Sequence, residues 1–274
     1  MHHGGFSDRL FGIISAFKYC QEHNIDFRIN WIYPFQLESF LEPNEYDWRI
    51  NSTDISYNLR QSRPKYVSMF YHDIKMMTKH AERKFKFRKQ QLHLYSNSIT
   101  FTQEEFRKYF HTLFKKSEIL ENEVTENLNN IGESYISVTF RFQQLLGDFK
   151  ETGFPILEVE EKSELINQCL NCVNNLYQKY NKKVLVTSDS KTFLEIASKQ
   201  FPYVYVIAGN VVHMDYVSKN DDVNLDTHLK SFVDLFMLAN ADTIFLAWIK
   251  PLYKSGFPKI ASWIYGKPFI TISK

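Results

Sequence analysis

The chain has 274 residues, 44% hydrophobic and 23% charged, the composition of a globular protein, which excludes a disordered or collagen-like one. Lys+Arg 33 against Asp+Glu 31 leaves a net charge of +2, too small for a dedicated nucleic-acid binder, so no nucleic-acid partner is expected. Three cysteines cannot frame a disulfide scaffold and no apolar run reaches the roughly 18 residues that span a bilayer, so the expectation is a cytoplasmic protein.

In chain order, Gly4-Gly5-Phe6-Ser7-Asp8-Arg9 runs into Leu10, Phe11, Ile13, Ile14, Phe17 and Cys20. Those apolar positions have helical spacing, with Ser7 or Asp8 as N-cap. Glycines let a backbone approach a ligand, and the amides of a helix start attract phosphate or a sugar hydroxyl; the same residues also suit a plain loop-to-helix cap. Residues 27–31 read as a short strand. From 36 to 130 the pattern is mixed, its clearest element a helix at 102–114. The basic run His80, Arg83, Lys84, Lys86, Arg88 and Lys89, with Phe85 and Phe87 between, fits a solvated helix face. Residues 80–89 are also the segment expected to meet an anionic membrane if the protein associates with one. The 24 Phe, 16 Tyr and 4 Trp are first of all core filler, although aromatics also line carbohydrate and nucleotide sites.

Beyond residue 130 the pattern becomes regular: strands at 135–140, 183–187, 204–207, 243–246 and 268–272 alternate with helices at 165–177, 190–199, 232–238 and 258–265. Alternation of this kind predicts βαβ units and a parallel sheet with ligands at the strand carboxyl ends. It places a boundary between an amino-terminal domain, 1–130, and a parallel α/β domain, 131–274.

Four groups of residues suit a phosphorylated ligand. The first is the Gly4-Gly5 turn. The second is Arg141, directly after a buried strand, where a guanidinium could pair with a diphosphate or with an ordinary carboxylate. The third is Thr187-Ser188-Asp189-Ser190, which could hold a ribose or phosphate or cap the next helix. The fourth is Lys254-Ser255-Gly256-Phe257-Pro258-Lys259, whose amides at 255–257 could face an anion, with Asp234 near a base or ribose. No metal site is expected: Cys169 and Cys172 lie inside a helical pattern without further ligands, and Asp221-Asp222 is not a D-x-D motif between hydrophobic residues.

Taken in order, these elements resemble the fucosyltransferase superfamily, nearest the α1,6-fucosyltransferases that include the bacterial nodulation enzymes. The likeness rests on Gly4–Leu10, Val138-Thr139-Phe140-Arg141, Val186-Thr187-Ser188-Asp189, Val233-Asp234-Leu235 and Ser255-Gly256-Phe257. It implies an α/β, GT-B-type fold with two Rossmann-like domains and parallel sheets, the carboxyl-terminal one, 131–274, clearer and binding the nucleotide-sugar. It also implies transfer of a sugar, foremost fucose from GDP-fucose, to a glycan or other hydroxyl acceptor, inverting and without a metal or other cofactor. Arg141 would hold the donor β-phosphate, Asp234 would sit by the nucleoside, and the serine turn by the diphosphate. The expected general base is Asp148, with Asp8 second. Two positions depart from the pattern: Thr139 stands where the motif often has histidine, and Phe142 where the α1,6 enzymes have a second arginine. They leave open a different nucleotide-linked donor; a non-catalytic nucleotide- or glycan-binding relative is a separate alternative.

Overall fold

A computed structural model describes residues 5–67, 74–85, 90–149, 154–209 and 225–273. The chain divides into two compact units, Met1–Lys115 and Lys116–Lys274.

The first unit contains α1 (Phe6–Glu22), β1 (Leu41–Pro43), β2 (Ser62–Val67), α2 (Ile74–Phe85), β3 (Gln91–Ser96), α3 (Gln103–Leu113) and β4 (Phe114–Lys116). β1 pairs with β4, and β2 runs parallel to β3 from Ser62↔Gln91 to Val67↔Ser96. Helix α1 is capped by Gly5, with Ser7 and Asp8 already inside its first turn, so the side-chain cap expected from the sequence does not form. At Gly12 the helix meets β3 so closely that a Cβ would lie 1.7 Å from the Ser96 carbonyl oxygen, and only glycine fits. One turn on, the Ser15 hydroxyl donates to the Ser98 carbonyl (2.6 Å) and accepts from the Thr100 N–H (3.2 Å), tying α1 to the segment after β3. Thr102 and Glu105 form a capping box that starts α3.

Aromatic rings fill this unit. Phe17 packs against Phe27, Tyr46 and Tyr109, Phe106 against Phe101 and Phe110, and Trp48 against Phe114. The strand expected at 27–31 is not formed. Phe27, Ile29 and Trp31 are buried and alternate with exposed Arg28 and Asn30, but the stretch joins no sheet among the described residues. The Ile29 N–H goes instead to the Trp48 carbonyl (2.8 Å), so the alternation reflects packing without a ladder. Of the basic run, residues 80–85 end α2 and 86–89 fall outside the described residues, as do Asp221 and Asp222. No helix among the described residues is long and apolar enough to cross a membrane.

The second unit contains α4 (Glu118–Ile131), β5 (Tyr135–Phe140), α5 (Val159–Tyr180), β6 (Lys183–Ser188), α6 (Lys191–Gln200), β7 (Val204–Tyr205), α7 (Leu225–Asn240), β8 (Ile244–Trp248), α8 (Phe257–Tyr265) and β9 (Phe269–Ser273). Its strands form one parallel sheet in the order β7-β6-β5-β8-β9. Ile136, Val138 and Phe140 of β5 face a core shared with α5 and α6, including Cys169 and Cys172. On the opposite face the Tyr135 hydroxyl donates to the Met237 carbonyl of α7 (2.6 Å). Helices therefore cover both faces of a doubly wound sheet. Helix α4, which the sequence boundary at 130 leaves in the first domain, packs on α7 in this unit; the division falls ahead of it, after Lys115.

Candidate active site

The sheet reverses its winding between β5 and β8, and in such sheets ligands bind outside the strand carboxyl ends at that point. β5 stays in register with β6 up to Phe140↔Ser188 and with β8 up to Phe140↔Ala247. One residue beyond these last pairs stand Arg141, Asp189 and Trp248, so the strand register alone brings an arginine, a carboxylate and an indole to one strand end.

Arg141 is held in place by its surroundings. Its Nη1 lies 3.1 Å from Asp189 Oδ2, and its guanidinium stacks over the Phe149 ring at 4.8 Å. Its carbonyl accepts the Tyr253 N–H (3.0 Å), which ties it to the loop after β8. Asp189 is 2% exposed and accepts the N–H groups of Phe142 (2.7 Å) and Gln143 (2.6 Å). Burial raises the Asp189 carboxyl, and the Arg141 charge and these two amides pull it back. Gln143 has φ +55°, a left-handed conformation that costs a non-glycine residue free energy, and the carboxylate's grip on its amide stabilises that turn. Asp189, which the sequence offers as a ribose or phosphate contact or as part of a helix cap, holds the Arg141 loop.

Several other expected contacts are also engaged inside the protein. Thr187 is buried, its hydroxyl 2.8 Å from that of Thr139, so one of the two departures from the family motif is matched across the strands. The other, Phe142, is fully buried in a cluster with Phe140 and Phe193. Asp148 Oδ2 accepts the Ser190 hydroxyl (2.8 Å) and the Thr192 N–H (2.8 Å), which makes it part of the α6 cap. Both oxygens of Asp234 bind Lys230 Nζ, at 2.9 and 2.7 Å, in a pair with side chains 3% and 7% exposed. Burial raises the Asp234 carboxyl while the Lys230 ammonium lowers it.

The loop from β8 to α8 has Pro258 in the first helical turn, as its sequence suggests. The Ser255 hydroxyl accepts the Phe257 N–H (3.2 Å), and Gly256 is the N-cap. Gly256 has φ −81° and ψ −13°, an ordinary right-handed conformation, so its backbone does not require glycine. On the same loop the ammonium of exposed Lys254 lies 4.8 Å from the centre of the Trp248 ring.

Asp8 belongs to the first unit, where it lines a groove of about 930 Å³ with Arg9, Trp31, Tyr33, Tyr57 and Tyr95. The Arg9 guanidinium covers the Trp31 ring at 4.9 Å and donates to the Tyr33 carbonyl (3.1 Å). Trp31 Nε1 is buried in the wall of the groove with no hydrogen-bond partner among the described residues. Gly5 has φ −55° and open space at its Cβ position, so neither conformation nor crowding demands glycine there. Gly4 lies outside the described residues.

No protein-family model and no curated protein sequence matches the chain. Solved structures do. A NodZ α-1,6-fucosyltransferase soaked with GDP-fucose matches at a TM-score of 0.62 and 16% identity, over 96% of this chain and 90% of that one. A mutant of Arabidopsis thaliana FUT1 in complex with GDP matches at 0.59 and 12%, over 99% and 69%. POFUT1 in complex with GDP matches at 0.56 and 10%, over 98% and 96%. The chain has a fucosyltransferase-like GT-B fold.

Within this fold the second unit brings Arg141, Asp189 and the Ser255–Phe257 loop to one end of its sheet. Asp148 and Asp234 go to structural partners, and Gly5 and Asp8 belong to the other unit. Reasoning from sequence missed Phe149 beneath Arg141 and the groove around Trp31. The alternation of Phe27, Ile29 and Trp31 was a signal for the second, because it buries one face of an unpaired segment and leaves its other side on a cleft.

Proposed function

We propose that the protein is a glycosyltransferase that takes its sugar from a nucleotide-diphosphate donor, foremost fucose from GDP-fucose, and passes it with inversion to a hydroxyl acceptor. The observation that carries this reading is Arg141, fixed by Asp189 and Phe149 at the switch point of the sheet, in a fold shared with fucosyltransferases crystallised with GDP and GDP-fucose. A guanidinium held in advance stabilises charge that develops on the departing diphosphate, a task divalent metals perform in other transferases. The acceptor hydroxyl needs a base. Asp148 and Asp8 are the two candidate carboxylates, and the aromatic groove of the first unit is the surface assigned to a glycan acceptor.

Isothermal titration with GDP, UDP and CMP, followed by transfer assays with GDP-fucose in excess EDTA, tests the reading. GDP is expected to bind most tightly, Arg141→Ala to weaken GDP far more than guanosine, and one of Asp148→Asn and Asp8→Asn to keep donor binding while losing transfer. Fucose transfer is expected to persist without metal. A second reading rests on Phe142 and Thr139, which remove an arginine and a histidine from the motif: preference for UDP or CMP would identify another donor. Binding of none of the nucleotides would sink both.

A further inference from the structure

Arg141 is not a full positive charge for a ligand, because buried Asp189 sits 3.1 Å away and offsets it. A sugar-nucleotide diphosphate is multiply charged and gains charge as the sugar leaves, so the pair alone is a weak counter-charge. The position after Arg141, where a second guanidinium would help, holds Phe142, whose side chain is in the core.

The missing cation stands on the neighbouring strand's loop. Trp248 follows the Phe140↔Ala247 pair and so ends β8 beside Arg141. The Lys254 ammonium rests over the Trp248 ring at 4.8 Å. The preceding residue, Tyr253, donates its N–H to the Arg141 carbonyl, which joins the two loops at this point. Lys254 is exposed and pairs with no carboxylate among the described residues. The indole face shields one side of the ammonium and leaves its donors for an anion. Resting on the nucleotide-sugar reading above, we infer that Lys254 is the second cation of the donor diphosphate site and takes the place of the arginine absent at 142. Trp248 is its platform. The Ser255 loop that follows brings this lysine to the strand end, whereas its glycine has no conformational task of its own.

Titration of GDP and of guanosine against the full chain, its Lys254→Ala and Lys254→Arg variants, and Lys199→Ala at the exposed end of α6, tests this. Lys254→Ala is expected to weaken GDP on the order of ten- to a hundredfold while leaving guanosine unchanged. Lys254→Arg should stay within a few-fold of the parent chain, and Lys199→Ala should match it. GDP affinity equal to the parent in Lys254→Ala overturns the inference and leaves the donor reading standing. So does an equal loss for GDP and guanosine, which would mark a structural effect on the loop. Failure of the unaltered chain to bind either molecule overturns the GDP reading and the inference with it.

Discussion

Asp189 is a charged group in a dry place, and its value lies in what it holds. It binds one guanidinium and two backbone amides, and removing any one of these leaves the others with a worse partner. Asp189→Asn keeps the size but loses the charge, and breaking a buried pair of this kind costs about 3–5 kcal/mol. A double-mutant cycle with Arg141→Gln, followed by chemical denaturation, is expected to show coupling above about 1 kcal/mol. Additive effects would mean that Arg141 and Asp189 act separately. Arg141 itself was legible in the sequence because a charged residue directly after a buried apolar strand has to emerge at the strand end. The role of Asp189 was not, since its donors are the amides of residues 142 and 143, and a backbone amide leaves no mark on residue type. The contacts of Asp148 with the start of α6 were hidden for a similar reason. A carboxylate in a loop can cap a helix or meet a ligand, and its distance along the chain from Ser190 hides the cap.

The elements of the second unit were readable because each strand buried on both faces is a run of β-branched and aromatic residues, as in Tyr135–Phe140. The first unit was harder. Its strands are short, and Ser62–Val67 carries a proline and two charges, so pairing with Gln91–Ser96 comes from long-range packing against α1 rather than from local pattern. At the opposite end of the second sheet from Arg141, one side chain joins strand beginnings. Asp242, ahead of β8, accepts Lys182 Nζ ahead of β6 and the Ser134 hydroxyl ahead of β5, each at 2.8 Å. The Lys182 contact is the main cause that lowers the Asp242 carboxyl below its ordinary value of 3.8. A lowered pKa means that the stabilisation is complete above the ordinary value and is lost as the pH falls below it. Both side chains are more than a third exposed, at 38% and 37%, so screening limits the effect to roughly 0.2–1 kcal/mol. Thermal melting at neutral pH should place Asp242→Asn slightly below the parent chain, with the gap closing in strong acid and narrowing in high salt. A gap that stays constant with pH would assign the loss to packing rather than charge.

At the scale of the molecule, the position of α4 decides what the second unit is. A strand–helix alternation beginning at 135 suggests a boundary just ahead of it, and the sequence boundary at 130 follows that logic. It overlooks that α7 is apolar over much of its surface, with Phe232 through Ala239 all buried and their one polar member, Asp234, paired with Lys230, and needs a cover that β-sheet packing alone does not provide. Helix α4 supplies it with buried Leu120, Val124 and Ile131, and the Asn127 side chain accepts the hydroxyl of Tyr205 in β7 (2.8 Å). Burying each such apolar side chain contributes roughly 1.5–3 kcal/mol, so losing the helix removes an amount comparable to the whole stability of an ordinary domain. Two fragments separate the alternatives. Residues 116–274 should unfold cooperatively with a sharp thermal transition, whereas residues 131–274 should bind a hydrophobic dye, expose α7 to proteolysis and melt without a defined midpoint. Equal transitions in the two fragments would show that α4 is dispensable and would return the boundary to residue 130. A cooperative 116–274 fragment that also bound GDP would locate the donor site within this unit, in line with the proposed roles of Arg141 and Lys254 at one end of its sheet.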